Sequence, residues 1–406
     1  MLKSDPQLCA KCKGYRLLCG RPHCPILRKF ELQTKTLSKI SSSFKGATPP
    51  ETLVGSRGWP VVSLGPLVAP TEPAVARQMG DPPSLFGRGL EEVIELRTQL
   101  VRCSIRLDVR KAREPHPVLD RLREAALSTS ALRLEVQLEK VPKPRPRFDG
   151  YLAPTGPLAK LRDLRVAENP SVPRKVENLI GDWDVRAEEA VSELYKAGQS
   201  VYYISRLLSL GLLGRKRERL IVPSRWSTTA VDSMVSKRLA LEIAHWTEIN
   251  EFEVFTTEYV GNRYAILFAP LPMGFEMVEV VQPGCVYMPR ASKPWVGSDA
   301  EGWKPRTSYP EIGGGYYAAK LPAYEYMFRR HRKAFVLVVR EVTPAYWAPV
   351  GSWKIREALR DAFTKPPARF SDFREALAHM SKFIPMDLWF SSARRLNWLL
   401  RQERLS

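Results

Sequence analysis

At 406 residues the chain exceeds the length at which one hydrophobic core stops growing, and with 44% apolar residues it supports two packed domains with a small appendage. No apolar run approaches the roughly 20 residues that cross a bilayer, and "MLKSDPQLCAKCK" lacks the apolar stretch of a secretory signal, so a cytoplasmic protein with no membrane partner is expected. The net charge of +20 sits at the two ends, +8 over residues 1–46 and +9 over residues 320–406, which makes nucleic acid the expected partner class, with simple solubility as the plain alternative.

Four of the six cysteines fall in "LCAKCKGYRLLCGRPHCP", with the spacing C-x2-C-x6-C-x4-C. In a reducing compartment this spacing favours a metal over disulfides. Two short pairs joined by a turn can bring four sulfurs to one tetrahedral ion, so Cys9, Cys12, Cys19 and Cys24 are the expected ligands of a structural Zn²⁺. An iron–sulfur cluster is the alternative, and His23 is a possible substitute for Cys24. A single redox pair would leave Cys19 and Cys24 without a role. Four thiolates close the coordination sphere, which makes the clip a docking module and not a catalytic centre. Lys11, Lys13, Arg16 and Arg28 surround it, and Tyr15 offers a ring for stacking. Cys103 and Cys285 read as small buried hydrophobes.

Further along, "PILRKFELQTKTL" has a helical pattern, a Ser-rich linker follows near 41–43, and residues 47–70 read as a hairpin or meander. Apolar spacing predicts a helix over 90–103, and "SALRLEVQLEK" alternates as a half-exposed strand. "KVPKPRPRFDG" reads as an extended segment, either a rigid connector or a basic ligand-binding loop. Helical patterns cover 184–198 and 200–220, the second ending in Arg215, Lys216, Arg217 and Arg219. Residues 221–246 read as a strand that turns at Pro223 into a long helix, and 251–270 as a hairpin turning at Gly261 and Asn262. "FEMVEVVQP" and "KAFVLVVREV" supply strands, and the end is mostly helical. The expected architecture is α+β: mixed, mainly antiparallel sheets with packed helices and a small N-terminal four-cysteine zinc module. Its expected divisions are 1–46, 47–220 and 221–406.

No phosphate-loop, zinc-protease or serine-hydrolase motif is present. The best polar constellation is "PSRWSTTAVDS": Arg225, Trp226, Ser227, Thr228 and Asp232 at a helix start, where hydroxyls, a guanidinium and the dipole suit a phosphate. Simple N-capping explains the same residues. In "YPEIGGGYYAAK", Gly313, Gly314 and Gly315 permit close approach of a ligand and Tyr316 and Tyr317 offer stacking rings, while a flexible turn is the plain alternative. Glu258, Asn262 and Arg263 read as an ordinary hairpin tip. In the C-terminal "QERLS", Gln402 and Leu405 match the opening Q-x-x-[ILM] of a sliding-clamp-binding peptide, without the aromatic pair that completes it. A helix end is the plain alternative.

Taken together, "CAKCKGYRLLCGRPHCPI", "PPETLVGSRGWPVVSLGPLVAP", "IVPSRWSTTAVDS", "EYVGNRYAILFAPLPMGFEMVEV" and "EIGGGYYAAKLPAYEY" resemble, in this order, the archaeal Nre family of DNA repair proteins. The resemblance implies a role in the response to DNA damage, an N-terminal four-cysteine finger matched by Cys9, Cys12, Cys19 and Cys24, and a C-terminal peptide for the sliding clamp PCNA. It implies no catalytic residues. The expectation is a DNA repair protein that binds DNA through basic surfaces and is recruited by the clamp. The alternatives are an enzyme acting on DNA or a nucleotide, with its pocket near 225–232 and 313–317, and a non-catalytic adaptor tethered to the clamp.

Overall fold

Each of two six-stranded sheets organises its own part of the chain. In the computed structural model, which describes residues 6–20, 22–146, 148, 154–302, 304 and 306–403, the chain divides into two units. One comprises His23–Arg147 and Ala153–Val235, the other Met1–Pro22, Phe148–Leu152 and Ser236–Ser406.

The sheet of the first unit contains β1 (Ser43–Thr48), β2 (Thr52–Val54), β3 (Val61–Val68), β4 (Val101–Asp108), β5 (Leu132–Leu138) and β6 (Leu158–Val166), in the order β1-β5-β6-β4-β3-β2. Only the pair β4 and β6 is parallel. The sheet curls until Ala47 and Ala69 exchange both backbone hydrogen bonds, at 2.8 and 2.9 Å, so β1 also meets the end of β3. That curl needs missing side chains: a Cβ on Gly65 would stand 1.7 Å from the Cys103 carbonyl oxygen, and one on Gly46 would stand 2.6 Å from that of Ala69. The alternation predicted for β5 is present, with Leu132, Leu134, Val136 and Leu138 all buried and Arg133 and Gln137 exposed.

In chain order the α-helices up to residue 243 are α1 (Pro6–Cys12), α2 (Pro25–Leu37), α3 (Pro73–Gly80), α4 (Pro82–Leu85), α5 (Leu90–Thr98), α6 (Pro117–Leu127), α7 (Arg174–Gly181), α8 (Ala187–Lys196), α9 (Val201–Ser209) and α10 (Ser224–Ile243). Of these, α2 to α9 belong to this unit, α1 falls in Met1–Pro22 of the other, and α10 runs from one unit into the other. The helix expected over 90–103 stops at Thr98, because Val101, Cys103 and Ile105 carry the strand alternation of β4. The strand expected at 221–223 does not form: Ile221 and Val222 donate to Val109 and Ser209 carbonyls, and Pro223 has no N–H to extend a ladder. Arginines replace caps at several ends in this unit. Arg206 donates to the carbonyls of Ala126 and Ser128, where α6 stops, and Arg123 to those of Ala112 and Leu210.

The second unit carries β7 (Phe252–Tyr259), β8 (Asn262–Ala269), β9 (Gly274–Val281), β10 (Trp295–Glu301), β11 (Phe335–Val342) and β12 (Ala368–Phe370), in the order β10-β9-β11-β8-β7-β12. Again a single pair, β9 with β11, is parallel. The expected α+β class with mixed, mainly antiparallel sheets is therefore what the chain adopts. The helices are α11 (Gly315–Arg330), α12 (Trp353–Ala362), α13 (Phe373–Phe383) and α14 (Arg394–Glu403). On one face Ala265, Leu267, Val278, Val280, Leu337 and Val339 pack with Leu377, Met380, Trp389 and Leu396 from α13, α14 and the turns between them. Glu276 on this face accepts from Arg395 N and Leu396 N, both at 2.9 Å, and so caps the start of α14. On the opposite face Phe268 and Phe275 stack with Tyr326 and Tyr316 of α11. Because both faces are covered, β8, β9 and β11 are buried along almost their whole length.

The hairpin β7–β8 turns one residue earlier than expected. Tyr259 pairs with Asn262, leaving Val260 (φ 42°) and Gly261 (φ 72°) as the two-residue turn. A Cβ on Gly261 would stand 2.4 Å from Tyr346 N, whereas one on Gly198 (φ 78°), after α8, would meet open space. Chemical denaturation should separate the two: Gly198→Ala costs about 1 kcal/mol from the left-handed conformation alone, and Gly261→Ala about 3 kcal/mol or more because backbone must also move.

Candidate functional site

The cysteine segment folds back on itself around Cys12. Helix α1 puts Cys9 and Cys12 three residues apart, and the chain then turns back through left-handed conformations at Lys13, Gly14, Leu17 and Gly20. This fold-back aims the backbone N–H of Leu18 first, and those of Gly14, Arg16 and Leu17, at the buried Cys12 sulfur and lowers its thiol below the ordinary value, against the opposing effect of burial. Cys24 occupies the cap position of α2, and the neighbouring His23 is engaged at 2.8 Å with Glu91. Cys103 is the contrast, its thiol pushed up to about 12 by burial alone. Among the described residues, no group of three or more His, Cys, Asp or Glu side chains is gathered so as to hold a metal ion.

The stretch 225–232 lies inside α10, whose first residue is Ser224, and most of its hydroxyls are turned to the backbone. Ser227 is fully buried and donates to the Ser205 carbonyl; Thr228 and Thr229 donate to the Ser224 and Arg225 carbonyls at 2.9 and 3.1 Å. Asp232 is buried. What the stretch presents outward is Arg225 and Trp226. Trp226 meets Trp59 with ring centroids 5.1 Å apart and planes at 50°, each ring side chain a little over 40% exposed. Trp59 belongs to the exposed run 56–61, which also carries Arg57, and the exposed Arg106 reaches to within 3.3 Å of where a Cβ on Gly58 would stand. Arg57, Arg106 and Arg225 make no ion pair among the described residues. Two wet indole rings framed by three uncommitted guanidinium groups can stack on bases and meet phosphates.

In the second unit, the register of the strands builds a polar centre. Tyr264, Arg340 and Glu279 face one another across β8, β11 and β9 and therefore point to the same face. Arg340 Nη1 donates to Glu279 Oε1 at 2.5 Å, and Arg340 Nε and Nη2 donate to Asn262 Oδ1 at 3.0 and 2.6 Å. Lys354 from α12 donates to the same oxygen at 3.2 Å and lies 4.3 Å from the centre of the Tyr346 ring. Burial, with Arg340 beside it, holds the Lys354 ammonium well below its ordinary pKa, while Glu279 keeps Arg340 charged despite burial. Asn262, expected to be an ordinary turn residue, is thus fully buried and joins two cations.

The glycine segment closes on this centre. Asp299 binds Arg306 at 2.6 Å and the Ile312 N–H at 2.9 Å, and Glu301 accepts from Tyr316, Lys320 and Arg306 N, which fixes the approach to α11. Gly313 takes φ 81°, Gly314 caps α11, and a Cβ on Gly315 would stand 3.1 Å from Glu279 Oε1 and 3.6 Å from Arg340 Nη1. Tyr316 and Tyr317 are both buried, the first with its hydroxyl on Glu301 at 2.7 Å, so their rings are committed to packing. Glu279, Arg340, Lys354 and Tyr264 escape sequence reasoning; the available signal was a charge inside the continuous apolar runs "MVEVV" and "VLVVREV". Gln402 lies exposed on the last turn of α14, and Leu405 lies outside the described residues. Among the described residues, no helix is long and apolar enough to cross a membrane.

Comparison with known proteins covers nearly the entire chain. The model of "Archaeal Nre, N-terminal" matches residues 18–288 and that of "Archaeal Nre, C-terminal" residues 301–406. The chain is 37% identical to DNA repair protein NreA of Archaeoglobus fulgidus, over 94% of its own length and 95% of the relative's. It is 33% identical to DNA repair protein NreB of the same organism over 94% of each chain, and 33% identical to DNA repair protein NreA of Haloferax volcanii over 85% and 84%. No solved structure matches it. With both halves matched and long relatives aligned end to end, the chain belongs to the archaeal Nre family.

Proposed function

We propose that this chain acts in DNA repair by binding DNA, with unpaired bases stacked on the Trp59–Trp226 pair and the backbone held by Arg57, Arg106 and Arg225. The observation that carries the reading is the pairing of two half-exposed indoles with three guanidinium groups that have no protein partner among the described residues. Two adjacent exposed indoles offer a stacking platform, and stacking accepts any base. The names of the relatives supply the repair context. Fluorescence anisotropy with a labelled single strand should give Trp59→Ala and Trp226→Ala each weaker by about 1–3 kcal/mol. Each Arg→Ala at 57, 106 or 225 should flatten the slope of log K against log salt by about 0.7 on that strand. Absence of salt-dependent affinity for single-stranded, duplex and forked DNA alike would sink the proposal.

The same reading assigns Zn²⁺ to Cys9, Cys12, Cys19 and Cys24 as a structural ion, supported by the N–H cradle around Cys12, since such hydrogen bonds stabilise a ligating thiolate. Metal analysis of the purified chain should return one zinc per molecule, lost in Cys12→Ser and kept in Cys103→Ser. Visible charge-transfer absorption would instead indicate an iron–sulfur cluster. Recruitment by the sliding clamp PCNA rests on Gln402 and Leu405, with Gln402 exposed on α14. Surface plasmon resonance on immobilised clamp should lose its signal in the Gln402→Ala, Leu405→Ala double variant, and an unchanged signal removes the tether.

A further inference from the structure

We propose that the polar centre between the strands β8, β9 and β11 and the start of α11 is a binding site for a phosphate-type oxyanion, held by Lys354, Arg340, Tyr264 and the N–H groups of Gly314 and Gly315. The site lies within the second unit and does not depend on the Trp59–Trp226 surface.

The argument is one of unspent donors. The single carboxylate of the centre, Glu279, serves Arg340 at 2.5 Å. Lys354, 1% exposed, is left with one neutral acceptor, Asn262 Oδ1, for its three N–H bonds. Tyr264 is fully buried beside Arg340 and Glu279, and its hydroxyl completes no hydrogen bond of normal geometry. The N–H groups of Gly314 and Gly315 find no protein acceptor among the described residues, at the positive end of a helix 16 residues long. Buried polar groups are nearly always satisfied, so the open donors of Lys354 and Tyr264, both buried beside Arg340, mark the position of a missing acceptor, and the half-buried start of α11 adds two further N–H groups.

Distances tie these donors together. Arg340 and Lys354 share Asn262 Oδ1, at 2.6 and 3.2 Å, and Arg340 Nη1 stands 3.6 Å from where a Cβ on Gly315 would be. Ile355, next to Lys354, stands 3.3 Å from the same point. With no side chain at Gly315, the start of α11 packs directly against Glu279, Ile355 and Arg340. Glu279, 3.1 Å away, repels a second anion on its own side, so the ligand enters beside Lys354 and Tyr264. Gly313 opens onto free space, and Tyr287, half-exposed and 5.8 Å from the Tyr346 ring, stands at the rim. A tetrahedral oxyanion offers several acceptors converging from one centre, which an ammonium, a phenol and paired amides can share. The shared chemistry is a phosphate group, free on a nucleotide or at a DNA end.

Thermal melts of the full chain at fixed ionic strength test this with inorganic phosphate, a deoxynucleoside monophosphate, and an oligonucleotide carrying either a 5′-phosphate or a 5′-hydroxyl. The expected result is a Tm that rises with phosphate concentration. Lys354→Met, which removes a buried charge at similar volume, and Tyr264→Phe, which removes only the hydroxyl, should each raise the half-effective concentration about tenfold or more. Response to the mononucleotide identifies a nucleotide site, and response confined to the 5′-phosphorylated oligonucleotide identifies a DNA end. A Tm unmoved by every probe, or variants that respond as the parent does, would overturn the assignment.

Discussion

A guanidinium and a carboxylate meet inside a sheet that is covered on both faces, and the second unit depends on how that meeting is accommodated. Arg340 and Glu279 sit on the parallel pair β11 and β9, directly opposite in register. Taking both out of water costs several kcal/mol per ion, which their attraction offsets only if the remaining donors are also met. Asn262 meets two of them, and its place is fixed by the tight Val260–Gly261 turn, which in turn packs on the backbone at Ala345 and Tyr346. A one-residue slip of β11 would swing Arg340 to the face of Leu337 and Val339, where nothing could receive it. The ion pair therefore specifies register more than it adds stability.

The placement of charge revises what net charge alone suggests. Of the basic residues in the C-terminal stretch, Lys320, Arg340, Lys354 and Arg356 are buried, so part of that positive excess lies in the interior. In the first unit Arg123, Arg206 and Arg219 are spent on backbone carbonyls, and Arg97 on Glu51 in a two-pronged pair at 2.8 and 3.0 Å. Arginine suits this work because its planar fork can serve carbonyls that a helix end or loop leaves open. Arg57, Arg106 and Arg225 are among the exposed guanidinium groups left without an ion pair among the described residues, and two of them lie beside the indoles in sequence.

Elements whose pattern is imposed by one buried face were legible in the sequence: the alternation of β5, the β7–β8 hairpin and the apolar runs of β9 and β11. Boundaries set by competing hydrogen bonds were not, as at Thr98 and at Ile221–Pro223. β10 was missed because "WVGSDAE" has no apolar alternation; it is an edge strand whose Asp299 and Glu301 face the loop they anchor. The aromatic pair was half legible. Trp226 stood out, but Trp59 is 167 positions earlier, and only the fold brings them to 5.1 Å. The polar centre was hidden for a similar reason. Its members come from three strands and two helices, and a lone charge within an apolar run does not announce which face will be covered.

The division of the chain bears on the order in which it is made. Residues His23–Arg147 and Ala153–Val235 emerge from the ribosome before the main body of the other unit, yet Met1–Pro22 belongs with that later body. At ordinary translation rates the leading segment waits roughly 10–40 s while more than two hundred residues are added. Through that interval the first unit can complete its own sheet, since all six of its strands lie between Ser43 and Val166.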